Sequence, residues 1–232
     1  MYKRQALEDA SDSLVRLGFS GPKAEAQLRD YLDTVPENID DVVQAQDLTV
    51  IRVPGPHPRY EIHGEVEPMK KLWTVLDVRA APVGRGPWEL LDIRAALPVV
   101  YEQTADAFVP QMTNLQLLGG VNFKKGCYTG QEVVARMQYL GKLKRRMYRA
   151  RVESAERPQP GDGLFTADSS GQSAGKVVNA QPSPDGGYEL LAVVEIGSRD
   201  QQQLHLGSAG GPVLEFLDLP YEFPAEGSDS QS

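Results

Sequence analysis

The chain of 232 residues contains a single cysteine, Cys127, and only three histidines, His57, His63 and His205. One thiol excludes an intrachain disulfide, and a lone cysteine with scattered imidazoles offers no metal-ligand spacing, so no protein-only metal site is expected. Cys–His nucleophilic catalysis has equally little support, because all three histidines are remote from Cys127 in sequence. No apolar run approaches the roughly 18–20 residues a membrane helix needs, and Met1–Ala10 lacks the apolar stretch of a signal peptide. The expected setting is a reducing cytoplasm, with no membrane partner. P-loop and dinucleotide fingerprints are absent, as are internal repeats.

What is present is an ordinary globular composition, 41% hydrophobic and 24% charged, long enough for one large domain or two small ones. The net charge of −8 disfavours nucleic acid and anionic membrane as partners of the whole surface. That average conceals a local reversal. Asn122–Arg151 holds nine basic residues against one acid, Glu132, so the segment carries +8 and the remainder −16. Any bound anion is expected there.

Hydrophobic periodicity divides the chain into three parts. From about Ser13 to Gly84, Ser13–Phe19 reads as a strand. Ser20 reads as the cap of a helix carrying Ala24, Leu28, Tyr31 and Leu32. Leu48–Val53 and Arg59–Gly64 read as a hairpin across Pro54–Pro58. Pro68 opens a helix with Met69, Leu72, Trp73 and Leu76 on one stripe, and Ala80–Val83 returns as a strand. The order βαββαβ is that of a ferredoxin-like unit.

Trp88–Leu140 holds the chemistry. From about Leu143 short apolar strands (Met147–Val152, Gly175–Val178, Tyr188–Val194, Val213–Leu217) alternate with turns such as Gly161-Asp162-Gly163, Ser170-Gly171 and Asp185-Gly186-Gly187. They point to a small β-barrel or sandwich. Residues 221–232, and most plainly the polar Ala225–Ser232, read as a disordered tail.

Within the basic segment, Thr129 and Glu132 have capping-box spacing, and Val133, Met137 and Leu140 supply one face of the helix that follows, ending at Gly141. Cys127 then lies two residues before a helix N-terminus, with Lys125 two residues away. Free amide N–H groups and the helix dipole favour a thiolate there if the sulfur is solvent-accessible. The same amides, with Lys124, Lys125 and Arg136, suit a carboxylate or phosphate. Further on, Tyr148, Ala150 and Val152 alternate with Met147, Arg149 and Arg151, a half-buried strand with a charged exterior rather than a nucleic-acid surface.

The run Lys125-Gly126-Cys127-Tyr128-Thr129-Gly130-Gln131-Glu132, extended through Val134-Ala135-Arg136, resembles the signature of the YgfZ-type folate-binding proteins, relatives of the glycine-cleavage T protein (aminomethyltransferase). Agreement continues at Ile93–Pro98, which is similar to the family's IRAGIP apart from Ala96 in place of Gly. It extends over Phe108–Leu115, Leu118–Phe123 and Gly141–Arg146. The resemblance implies an α+β, GcvT/YgfZ-like fold: a folate-binding region over 1–142, with its ferredoxin-like βαββαβ unit at about 13–84 and its signature loop and helix at 123–141, followed by a C-terminal β-barrel over 143–220. Family members carry a substantial further segment before the point matching Ser13, so the chain is expected to be N-terminally truncated, with an incomplete folate pocket.

The same resemblance implies a tetrahydrofolate-binding accessory protein in iron–sulfur cluster assembly or repair, with a link to tRNA modification. Its partners would be folate and iron–sulfur proteins or their assembly machinery, and direct nucleic-acid binding is not expected. By position Lys125 and Cys127 are the functional pair, and Arg94, Tyr128, Gln131, Glu132 and Arg136 are further candidates for cofactor contact. Three alternatives stand beside this reading. They are aminomethyl transfer to tetrahydrofolate, a nucleic-acid-binding module built on 122–151, and a thiol redox sensor at Cys127.

Overall fold

The computed structural model describes residues 6–139, 141, 143–168 and 171–224. Met1–Gln5, Leu140 of the helical stripe, Lys142, Ser170 of the Ser170-Gly171 turn and the tail from Ala225 lie outside them. The chain divides into two compact units, at Gly84 and Arg85. The packing boundary thus precedes the chemistry-bearing segment, which belongs with the barrel, whereas the sequence pattern places the break near 142.

The first unit runs β1 (Val15–Ser20), α1 (Ala24–Arg29), β2 (Val42–Ala45), β3 (Leu48–Arg52), β4 (Arg59–Gly64) and α2 (Val66–Leu76). Its antiparallel sheet has the order β1-β4-β3-β2. Leu28, Leu32, Leu48, Val50, Tyr60, Ile62 and Leu72 form the core, each almost without exposed surface. The order βαβββα differs from the expected βαββαβ at two elements. Ala80–Val83 is not a strand, because the amides of Arg79 and Ala80 both donate to the Leu76 carbonyl at 2.9 Å, curling the chain off the helix end. The fourth strand is instead β2, turned into β3 by Gln46 and Asp47 with φ of 48° and 60°. Two consecutive left-handed residues make a tight hairpin turn, a geometry usually announced by Asn-Gly, so Gln-Asp gives little sign of it.

Two smaller expectations also shift. Ser20 caps no helix: it ends β1, and its hydroxyl donates to the Pro58 carbonyl at 3.3 Å. On α2, Met69, Leu72 and Leu76 are buried, but Trp73 is 44% exposed, because one residue beyond Leu72 the helix has turned about 100° away from the core.

The second unit comprises α3 (Arg85–Arg94), α4 (Gln131–Tyr139), β5 (Arg145–Val152), β6 (Gly163–Thr166), β7 (Gly175–Pro182), β8 (Tyr188–Glu195), α5 (Ile196–Gln201), β9 (Leu204–Leu206) and β10 (Leu214–Leu217). The strands form one antiparallel sheet, β10-β5-β8-β7-β6-β9, which curls until its two edge regions meet at a His205–Val213 bridge. Inside the curl lie Tyr148, Ala150, Val152, Leu164, Leu190, Ala192 and Val194. The outer face is covered too. Ile93 and Ala96, from the end of α3, pack against Met147, Val178, Leu191 and Val193. Burial on both faces explains the apolar run Leu190–Val194, and it puts Met147 in a second core rather than on a charged exterior. Tyr221 and Phe223, expected to belong to a disordered tail, are instead packed against this unit's cores. No helix among the described residues is long and apolar enough to cross a membrane.

The end of α3 is secured by two devices. The Leu97 amide donates to the Asp92 carbonyl at 2.9 Å and the Ala96 amide to the Ile93 carbonyl at 3.0 Å, the paired bonds of a Schellman cap. Ala96 occupies the left-handed position, with φ of 53° and no exposed surface. A glycine would adopt that φ without strain. Beside it, Arg94 grips Glu189 of β8 through Nε at 3.1 Å and Nη2 at 2.6 Å. Burial pushes the Glu189 carboxyl up, but the bonds and charge of Arg94 and the hydroxyl of Ser183 outweigh it, leaving the carboxyl below its ordinary 4.5.

Two outcomes follow for urea unfolding. Ala96→Gly relieves a left-handed alanine, about 1 kcal/mol, but removes a buried methyl worth about 0.8 kcal/mol, so stability is expected to stay within about 0.5 kcal/mol. Ala96→Val, branched and bulky at the same φ, is expected to lose more than about 2 kcal/mol. Glu189→Gln is expected to cost about 1–3 kcal/mol at pH 7, since Arg94 is partly exposed. A lowered carboxyl stabilises only while ionised. The gap between wild type and Glu189→Gln should therefore be full above about pH 5 and close as pH falls through the range below 4.5.

Candidate functional site

The signature run forms an exposed loop leading into α4. Gly130, with φ of 85°, places its carbonyl to accept the first helical bond, from the Val134 amide at 3.4 Å. The helix therefore starts at Gln131, and Gly130 rather than Thr129 holds the cap position. The expected Thr129–Glu132 box is not formed, and Cys127 stands three residues before the cap position rather than two. A glycine is needed here because few side chains tolerate that φ.

Cys127 is a free, exposed thiol. Near it the Lys125 ammonium sits over the Tyr128 ring, 4.8 Å from the centroid, a cation–π contact that holds both side chains on one side of the loop. The Lys124 amide donates to Oδ1 of Asn122 at 2.8 Å, and Phe123 meets Tyr139 edge-on at 6.1 Å, closing the loop against the far end of α4.

On α4 the inward side is marked by Val134, which is buried, and by the half-buried Gln131 and Gln138; Val133 is 56% exposed, contrary to the expected stripe. Gln131 thus faces inward, while Glu132 and Arg136, four residues apart, share the solvent side. The structure brings together Lys125, Cys127, Tyr128, Gln131, Glu132 and Arg136 on one loop and helix. Arg94 lies apart from that stretch in sequence, at the end of α3, with its guanidinium committed to Glu189.

Charge separates this site from the strand that follows. Arg145 pairs with Glu195 at 2.8 Å, Arg151 with Glu153 at 2.7 Å, and Arg149 donates to the Arg94 carbonyl at 3.3 Å. Among the described residues Lys124, Lys125 and Arg136 have no ion-pair partner, nor do Lys144 and Arg146 where β5 begins, so positive charge is available to a ligand at the loop and the outer face of α4.

Sequence reasoning missed the groups that support this site. Buried Gln111 donates from Nε2 to the Val134 carbonyl at 2.7 Å, tying the short 3-10 turn Pro110–Thr113 to α4. Asn114, fully buried with φ of 59°, donates to the Met147 carbonyl at 2.8 Å and to the Tyr221 hydroxyl at 3.0 Å. Burial raises the Tyr221 hydroxyl above its ordinary value of 10.0. Their only sequence signal is their place inside Phe108–Leu115, a stretch that agrees with the family but carries no motif of its own.

No family model matches the chain. Among curated proteins it is similar to tRNA-modifying protein YgfZ of Colwellia psychrerythraea, 30% identical over 221 residues that cover 94% of this chain and 67% of that one. The YgfZ proteins of Edwardsiella ictaluri and Cronobacter sakazakii are 31% and 34% identical, each match covering 91% of this chain and 65% of the relative. The chain spans just under two thirds of the length of those two. Among solved structures, glycine cleavage system aminomethyltransferase T from Bartonella henselae superposes with a TM-score of 0.63 at 20% identity, over 87% of this chain and 57% of that one, a likeness of fold alone. From its sequence relatives, this chain belongs to the YgfZ family.

Proposed function

We propose that the protein is a tetrahydrofolate-binding accessory factor that serves iron–sulfur cluster assembly or repair, and through it tRNA modification. The observation that carries the reading is the pairing, on one loop, of an exposed free thiol with cations that have no ion-pair partner among the described residues: Cys127 beside Lys124 and Lys125, with Arg136 on the adjoining helix. Relatives named as tRNA-modifying proteins, and a folate-type fold, support the biological setting.

The residues fit the acidic end of a folate. Its tail carries two carboxylates, and the exposed Lys124, Lys125 and Arg136 are placed to receive them, Lys125 held in orientation by the Tyr128 ring. Gln131, half-buried on the inward side of α4, is placed to hydrogen-bond a ring substituent, and Glu132 is a solvent-side acceptor. When bound, tetrahydrofolate supplies a one-carbon acceptor. Cys127 is left free of the binding contacts, an accessible nucleophile whose substrate is a sulfur- or iron-bearing partner protein.

Calorimetric titration with tetrahydrofolate tests this. Binding is expected to weaken about two- to fivefold with Lys125→Ala, the scale of an exposed ion pair, and to decline with added salt. Cys127→Ala is expected to bind as wild type does, and Cys127 to react fully with a maleimide in the folded protein. Affinity indifferent to both Lys125→Ala and salt would remove the loop from the folate site.

A further inference from the structure

Helix α4 presents two unlike sides. At about 100° per residue, Tyr139, Glu132, Arg136 and Val133 fall in that order within an arc of about 120°, and all four are exposed. The opposite side is fixed to the unit, because Val134 is buried and its carbonyl accepts from the buried Gln111 amide at 2.7 Å. The outer arc is therefore a rigid platform about 13 Å long, and little of it has to be ordered when another surface meets it. Two of its four side chains are apolar, Val133 at 56% and Tyr139 at 61% exposure, with Arg136 between them. The half-buried Phe123 meets the Tyr139 ring edge-on at 6.1 Å and carries the apolar strip onto the signature loop. Exposed apolar residues scattered singly need no explanation. A tyrosine and an aliphatic side chain flanking an arginine on one helix face have instead the composition of a protein-contact centre.

Charge selects what covers this face. The strip is centred on Arg136 and bordered by Lys124 and Lys125, none with an ion-pair partner among the described residues, against the single acid of Asn122–Arg151, Glu132. Its complement is an acidic surface that also offers an apolar anchor. Nucleic acid fits less well. A phosphate backbone would meet Glu132 on the same arc, Tyr128 is covered by Lys125, and Phe123 and Tyr139 are turned edge-on to each other rather than left free for successive bases to stack on. We propose that the outer face of α4, with Phe123, is the docking surface for an acidic segment of a partner protein, anchored by aliphatic side chains. The inference rests on the reading of Cys127 as a thiol that serves a partner protein, and it names where that partner sits. A face of this length belongs to the small, transient class of interface, in which opposite charge sets the rate of encounter and the apolar anchors set the lifetime.

The test titrates the isotope-labelled whole chain, followed by NMR, with a synthetic amphipathic helix that has leucine along one stripe and glutamate elsewhere. Saturable shifts are expected at Glu132, Val133, Arg136 and Tyr139. Affinity is expected to fall about tenfold in the double variant Val133→Ser, Tyr139→Ser, and by a similar factor when glutamine replaces every glutamate of the peptide. Both replaced side chains are exposed and unused by the folate reading, so the variant should keep its thermal midpoint and its tetrahydrofolate affinity, which separates a lost contact from a lost fold. Equal affinity for the glutamine peptide, full affinity in the double variant, or no shift on α4 would each overturn the proposal. Oligouridylate bound more tightly than the peptide would assign the face to nucleic acid, and a dimer that the double variant dissolves would assign it to a second copy; either result overturns it as well. Peptide binding without tetrahydrofolate binding keeps the docking face and removes the folate reading, and the reverse result removes the docking face alone.

Discussion

One buried side-chain amide holds the second unit in register. Asn114 has no exposed surface, adopts a left-handed backbone and gives both protons away, one to the Met147 carbonyl of β5 and one to Tyr221 beyond β10. A buried donor left unmade costs about 1–3 kcal/mol, so the segment before the signature loop, the first barrel strand and the end of the described chain are fixed to one another. Gln111, three residues earlier, extends the clamp to the backbone of α4. The loop that carries Cys127 therefore leads into a helix that is tied to the buried Gln111.

The second constraint is electrostatic. A strand with four arginines among eight residues would repel itself if left bare. Instead Glu195 and Glu153 neutralise Arg145 and Arg151, and Arg149 donates to a backbone carbonyl. Arg94 is taken by Glu189. Cations on the loop and α4 remain without an ion-pair partner among the described residues, as do Lys144 and Arg146, the latter held over an aromatic ring. Sequence charge alone overstated the anion-binding surface, because Glu153 lies just past the end of the basic segment and Glu195 arrives only through sheet pairing.

Much of the first unit was legible from local pattern. Strands β1, β3 and β4 and helix α2 follow from β-branched content and a stripe at Met69, Leu72 and Leu76. Strand β2 was not, because its turn uses Gln46 and Asp47. In the second unit the short β6 and β9, of four and three residues, carry too little alternation to register, and they exist because their neighbours in the sheet supply hydrogen bonds. The start of α4 was misplaced by one residue, since a backbone conformation at Gly130, rather than a side-chain cap, decides where it begins.

Sequence by itself determined the family and the chemical character of the loop. Those reside in contiguous residues, Lys125 to Glu132, whose types and order survive without reference to anything distant. Only the tertiary structure decided which of the many basic and polar side chains are spent on the fold and which are left over. That division depends on partners far apart in the chain: Arg94 with Glu189, Asn114 with Met147 and Tyr221, Gln111 with Val134. Hydrogen bonds and ion pairs act over a few ångströms of space, and spacing along the chain carries no record of which groups folding will bring within that reach.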